Sequence, residues 1–143
     1  MMAVFLINSL VVGIAVMIHY EFLYQMTRYL PKLKVKHRFI IVIGVVTALL
    51  AHSVEIWVFG AAYYFMNITT GWGTLEGNFT GTMFDCVYFS FTTFTTLGFG
   101  DITPHGNIRY LTGIESLTGL VLITWTASFL YIEMRQYWDL DNH

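Results

Sequence analysis

The sequence predicts an all-α membrane protein with three transmembrane helices and a fourth, re-entrant helix that enters the bilayer and turns back. Three observations predict it. The 143 residues are 56% hydrophobic and only 11% charged, whereas soluble domains carry about 25% charged residues. Three stretches, Ala3–Tyr24, Phe39–Tyr64 and Leu111–Ile132, are long and apolar enough to cross hydrocarbon, which takes about 20 residues. A further apolar run, MFDCVYFSFTTF, has about twelve residues and is too short to cross.

One domain is the expectation at this length. The net charge of -2 and the lack of a basic stripe argue against nucleic acid as a partner. Cys86 stands alone, which excludes a disulfide within the chain and a cysteine-based metal site. Its apolar, aromatic surroundings read as those of a small packed side chain. No nucleophile–base pair, phosphate loop or metal cluster stands out, so the chain does not read as an enzyme, and no cofactor is expected.

The opening MMAVFLINSLVVGIAVMIH lacks the basic start and the clear small-residue cleavage site of a signal peptide. It reads as a retained membrane helix, residues 1–27. The connection that follows, residues 28–38, holds Arg28, Lys32, Lys34, Lys36 and Arg38, five of the seven Lys and Arg residues. Pro31 breaks the helix there. The positive-inside rule puts this loop in the cytoplasm, the N-terminus outside and the C-terminus inside. Arg135 then falls inside and Arg109 outside. Tyr137 and Trp138 suit an interfacial belt. The basic loop either touches anionic lipid headgroups or serves only to set topology.

The connection between the second and third spans is long. NITTGWGTLEGNFTGT reads as an exposed turn region. Asn67 and Asn78 each head a glycosylation sequon, a pattern short enough to arise by chance. Thr82 and Asp85 resemble a capping box, so a short helix is expected from Met83 to about Phe94. Its C-terminal end would direct partial negative charge into the membrane interior.

TTLGFGDITP follows, residues 95–104. Irregular backbone at membrane depth must be buried in protein or line a water path. Gly98 and Gly100 alternate with Leu97 and Phe99, and glycine admits left-handed backbone that other residues resist. Alternating handedness turns successive carbonyls to one side. Four such strands about an axis would stack rings of oxygens able to replace the water around a dehydrated cation.

Thr95-Thr96-Leu97-Gly98-Phe99-Gly100-Asp101 resembles the TTVGYGD signature of the potassium channel pore family of bacterial type. The resemblance covers about residues 39–137 as outer helix, turret, pore helix, filter and inner helix, leaving the first helix as an addition and residues 138–143 as a short cytoplasmic tail. It implies a homotetramer, each chain having three identical partners, that passes potassium as its transported ion through the carbonyls of Thr96, Leu97, Gly98 and Phe99, with Gly100 completing the filter. The Thr96 hydroxyl would finish the innermost site. Thr95, Asp101, Thr92, Phe89 and Tyr88 would support the filter. Gly119 matches an inner-helix hinge, or else marks a close helix contact.

Three departures bear on the filter. Phe99 stands in place of the usual tyrosine, Phe89 in place of a frequent indole, and Thr92 where some relatives have a glutamate. Aromatic packing among Tyr88, Phe89, Phe91 and Phe99 is expected instead, and with it a filter that collapses readily in low potassium.

His52 and Glu55 share a face of the second helix, and Glu115 lies on the third. Ionisable groups inside a membrane are costly and are paired or functional. They read either as a proton-sensitive brace behind the filter or as a structural network with Thr112, Ser116 or backbone groups. His19 and Glu21 are expected near the interface. Ser116, Leu120, Ile123, Ala127 and Tyr131 recur on one stripe and would line the cavity and gate, or pack between helices. The first helix has no arginine ladder and is no voltage sensor. Alternatives to the potassium channel are a weakly selective cation channel, a transporter subunit, and a non-conducting membrane scaffold or regulatory subunit. The expected location is the plasma membrane, as a bacterial inner membrane.

Overall fold

The computed structural model describes residues 2–140; the side chains of residue 37 and residues 137–140 lie outside the description. The interfacial belt expected of Tyr137 and Trp138 therefore lies outside the described residues, as do residues 141–143 of the expected tail.

Helix α1 spans Met2–Tyr29, helix α2 His37–Ile68, helix α3 Met83–Phe94 and helix α4 Ile108–Leu140. Three helices, α1, α2 and α4, are long and apolar enough to cross a membrane. Each outruns its expected end because composition does not stop a helix; only a breaker does. Helix α1 continues past Tyr24 through Gln25, which bonds Glu21, and Thr27, which bonds the Leu23 carbonyl. It stops where Pro31 enters a short 3-10 turn, Leu30–Lys32. Helix α4 runs to Leu140 and so absorbs the first residues of the expected tail.

Helix α3 has the bounds that the capping box implies. Thr82 Oγ1 accepts the Asp85 amide, and the Asp85 carboxylate accepts the Thr82 amide. The Asp85 carboxylate also takes the amide and hydroxyl of Thr80 at 2.9 and 2.6 Å. These bonds, the Thr80 hydroxyl first, hold its pKa down to about 2.

One element was missed in the turn region. Strand β1, Thr74–Gly77, pairs antiparallel with strand β2, Ile102–His105, in the register Thr74 with His105 and Gly77 with Ile102. Four-residue strands carry too little alternation to be read from sequence. The ribbon links the turret to the segment after Asp101, and the Asn78 amide bonds the Asp101 carbonyl at 2.8 Å. Asn67 is engaged as well, accepting the Leu75 amide.

Helix α3 is wedged between α2 and α4, and α1 packs on α2 and α4. Phe59, Tyr63, Phe94, Ile108, Leu111 and Leu122 form the sealed centre. Small residues let the backbones close. A Cβ on Gly60 would sit 2.7 Å from a Val87 methyl, and one on Gly119 would sit 2.1 Å from the Phe94 carbonyl oxygen. A second cluster of Leu23, Met26, Leu30 and Ile40 lies beside the basic turn. The five cations of that turn are exposed, with Arg28 and Lys32 both over the Tyr29 ring.

Candidate ion-conduction site

Residues 95–100 follow the buried end of α3 and lie wholly exposed on the single chain. Their backbone alternates in hand. Thr96, Gly98 and Gly100 have φ of 58°, 52° and 78°, while Leu97 and Phe99 between them do not have positive φ. Glycine makes two of these inexpensive. Thr96 is a β-branched residue at positive φ, a strained conformation that tends to mark functional sites. The sequence pointed to left-handed backbone at the glycines and named Thr96 for the filter but not for its positive φ, because nothing in its side chain signals left-handed backbone.

Three backbone bonds anchor the loop to α3: the Thr95 amide to the Phe91 carbonyl at 3.2 Å, the Thr96 amide to the Thr93 carbonyl at 2.9 Å and the Gly98 amide to the Thr92 carbonyl at 3.0 Å. Among the described residues, no backbone amide bonds the carbonyls of Thr96, Leu97, Gly98 or Phe99. Four successive acceptors are thus left open on the exposed face of the single chain.

The expected supports are arranged differently from expectation. Tyr88 donates its hydroxyl to Asp101 Oδ2 at 2.9 Å, tying α3 to the end of the loop. That bond raises the pKa of the Tyr88 phenol. Thr92 serves through its carbonyl; its hydroxyl turns back to the Phe89 carbonyl instead of reaching Asp101. Thr95 likewise bonds the Phe91 carbonyl. The aromatic packing expected among Tyr88, Phe89, Phe91 and Phe99 does not form within one chain. Phe89 is buried edge-on against Tyr63, whereas Phe99 is 65% exposed. Cys86 is sealed in α3, and burial pushes its thiol up to about 11, so it is inert.

On α4, Leu120, Ile123, Ala127 and Tyr131 are exposed on the single chain, and Ser116 is half-buried with its hydroxyl 3.3 Å from the Thr93 carbonyl. A neighbouring face carries Leu111, Glu115, Gly119, Leu122 and Thr126, all buried. Gly119 packs on the last carbonyl of α3, so a close contact accounts for this glycine, and the helix runs through it unbroken.

His52, Glu55 and Glu115 do not come together. Glu55 accepts from His19 Nδ1 at 2.8 Å and meets His52 Nδ1 at 2.9 Å. Glu115 instead meets Tyr63 and Ser90, each at 2.5 Å. Where the sequence left a brace or a structural network open, the groups form two separate clusters, because α3 is inserted between α2 and α4 near Glu115. His19 is 1% exposed inside the bundle, bonded to Glu55 of α2. Its partner sits on another helix, which spacing along the chain does not reveal. Two histidines and a carboxylate thus lie within 4.8 Å of one another where the sequence displayed no cluster.

A short pore-type helix, an open-carbonyl loop and flanking spans define a membrane protein built for ion passage. The chain belongs to the ion channel family, whose model matches residues 51–136, more than half of the sequence. It is accordingly a membrane protein of the ion transport type. No curated protein and no solved structure matches the chain.

Proposed function

We propose that four copies of this chain close a potassium-selective filter and conduct potassium passively. The observation that carries this reading is the run of four unpaired carbonyls, residues 96–99, on backbone of alternating hand. One chain supplies one strand, and a closed ring needs cyclic symmetry. Dehydrated potassium would move between carbonyl rings, each ion displaced by the next. The Tyr88–Asp101 bond would hold the outer end of each strand. Leu120, Ile123, Ala127 and Tyr131 would line the cavity below. In this reading the basic turn is cytoplasmic and near anionic headgroups, the N-terminus is outside, the C-terminus is inside, and the membrane is a bacterial inner membrane.

A specific observation favours a second reading. Phe99 has no hydroxyl, is 65% exposed and pairs with no other ring among the described residues, so a looser filter of weak selectivity is the competitor. Flux from liposomes loaded with potassium or sodium separates the two, with Gly98→Ala as control. At a φ of 52° alanine is strained. Barium-blocked potassium flux that is lost in Gly98→Ala supports the filter. Equal potassium and sodium flux supports weak selectivity. No flux across pH and potential leaves a scaffold.

A further inference from the structure

The Glu55 carboxylate, itself fully buried, is bonded on both oxygens. His19 of α1 presents Nδ1 to one carboxylate oxygen, and His52 of α2 presents Nδ1 to the other, at 2.8 and 2.9 Å. The two Nε2 atoms then converge on one hydroxyl, Thr126 Oγ1 of α4, at 3.4 and 3.1 Å. The four side chains form a ring across three helices. Trp125 of α4 lies against His19 with ring centroids 5.1 Å apart, and Phe94 of α3 against His52 at 5.8 Å. Neither titrates, so among the described residues His19, His52 and Glu55 are the titratable groups that face one another here.

Counting hydrogens decides what this ring needs. A carboxylate only accepts, so both Nδ1 atoms must carry hydrogen. If both imidazoles are neutral, both Nε2 atoms are acceptors, and Thr126 has a single hydrogen for two of them. One contact is then lone pair against lone pair. Adding one proton to one Nε2 repairs it. That nitrogen donates to Thr126 Oγ1, and the Thr126 hydroxyl donates to the other Nε2. Every hydrogen is used once, and the carboxylate's negative charge is balanced by one imidazolium. A net-neutral, fully bonded ring is what a low-dielectric interior favours.

We propose that His19, His52, Glu55 and Thr126 form a one-proton clasp that ties α4 to α1 and α2, and that losing the proton at alkaline pH loosens α4. His52, 15% exposed where Glu55 and His19 are sealed, is the member through which the proton exchanges. The loss leaves the ring with a net charge of minus one and one broken contact. Two histidines and a carboxylate also suit a transition metal by type. The separations here are those of direct hydrogen bonds, and both Nε2 atoms are turned to Thr126. A divalent ion with one carboxylate would also leave a net buried charge.

The clasp stands independently of conduction; its effect on a gate rests on the channel reading. The test is therefore thermal unfolding of the full chain in lipid vesicles against pH, without flux. Glu55→Gln is the decisive variant. Its amide accepts from one Nδ1 and donates to the other, so the ring closes with no added proton. The wild type is expected to lose about 4 °C of midpoint from neutral to alkaline pH. Glu55→Gln should lose none over the same range. Thr126→Ser keeps the hydroxyl and should follow the wild type. Thr126→Val should already be low at neutral pH and change little further. A wild type with a flat profile overturns the proposal, as does an alkaline loss that persists in Glu55→Gln. Stoichiometric metal in the purified protein, with a midpoint that falls on chelation, overturns it in favour of a metal site.

Discussion

Glu55 and Glu115 are both fully buried in the bundle, and their surroundings differ in kind. Glu55 sits where α1, α2 and α4 meet and faces two imidazoles. Glu115 sits where α2, α3 and α4 meet and faces the hydroxyls of Tyr63 and Ser90. Among the described residues no cation pairs with Glu115. Ser90 also reaches the Ile56 carbonyl at 2.9 Å, yet it has one hydrogen. The Glu115 site is donor-matched when the carboxyl itself carries hydrogen, in the order Tyr63, Glu115, Ser90, Ile56. The first site is thus a ring that balances a charge, and the second a chain that avoids one. Burial alone does not say which; the donors available do.

The largest break in this comparison is expected from Glu55→Ala. It leaves two facing imidazoles with no acceptor, at a cost of about 3–5 kcal/mol, the penalty for removing one partner of a buried ionic group. Loss of folded protein in detergent reads it. Glu115→Ala strands two hydroxyls and should cost less, about 1–3 kcal/mol by thermal unfolding. Tyr63→Phe removes one donor from the same site, and about 1 kcal/mol is expected from the same measurement. Glu115→Gln should cost under about 1 kcal/mol, since an amide can accept from Tyr63 and donate to Ser90. A Glu115→Gln loss as large as that of Glu115→Ala would place a charge at Glu115 and erase the contrast.

Asp85 supplies the smallest effect and the control, a carboxylate outside the spans. Its pKa is lowered from 3.8 to about 2 by its bonds to Thr80 and Thr82. The folded value lies below the unfolded one, so the stabilisation is present above 3.8 and is lost as pH falls toward about 2. It is solvent-screened and therefore slight. Amide exchange in the first turn of α3 should quicken only in that acid window and be unaffected by alkaline pH. For the loop, Tyr88→Phe should leave folding intact and hasten loss of conduction in potassium-free solution, because it cuts the tie to Asp101.

Much of this could be read along the chain. Hydrophobic length placed three spans, because lipid demands about 20 apolar residues whatever the neighbours. Thr82 and Asp85 set the start of α3, a bond between residues three apart. Gly98 and Gly100 marked left-handed backbone, since only glycine adopts it freely. These are local constraints, satisfied within a turn or a span. The tertiary structure decided what depends on residues far apart. It joined His19 to Glu55 across 36 residues and Thr126 to His52 across 74. It separated Glu115 from them by inserting α3. It made Gly119 a contact by laying Phe94 on it, and paired β1 with β2 beside Asp101. A sequence states which side chains can donate or accept; which partners they meet is set by how the helices pack, because polar groups shut away from water must bond whatever the packing brings near.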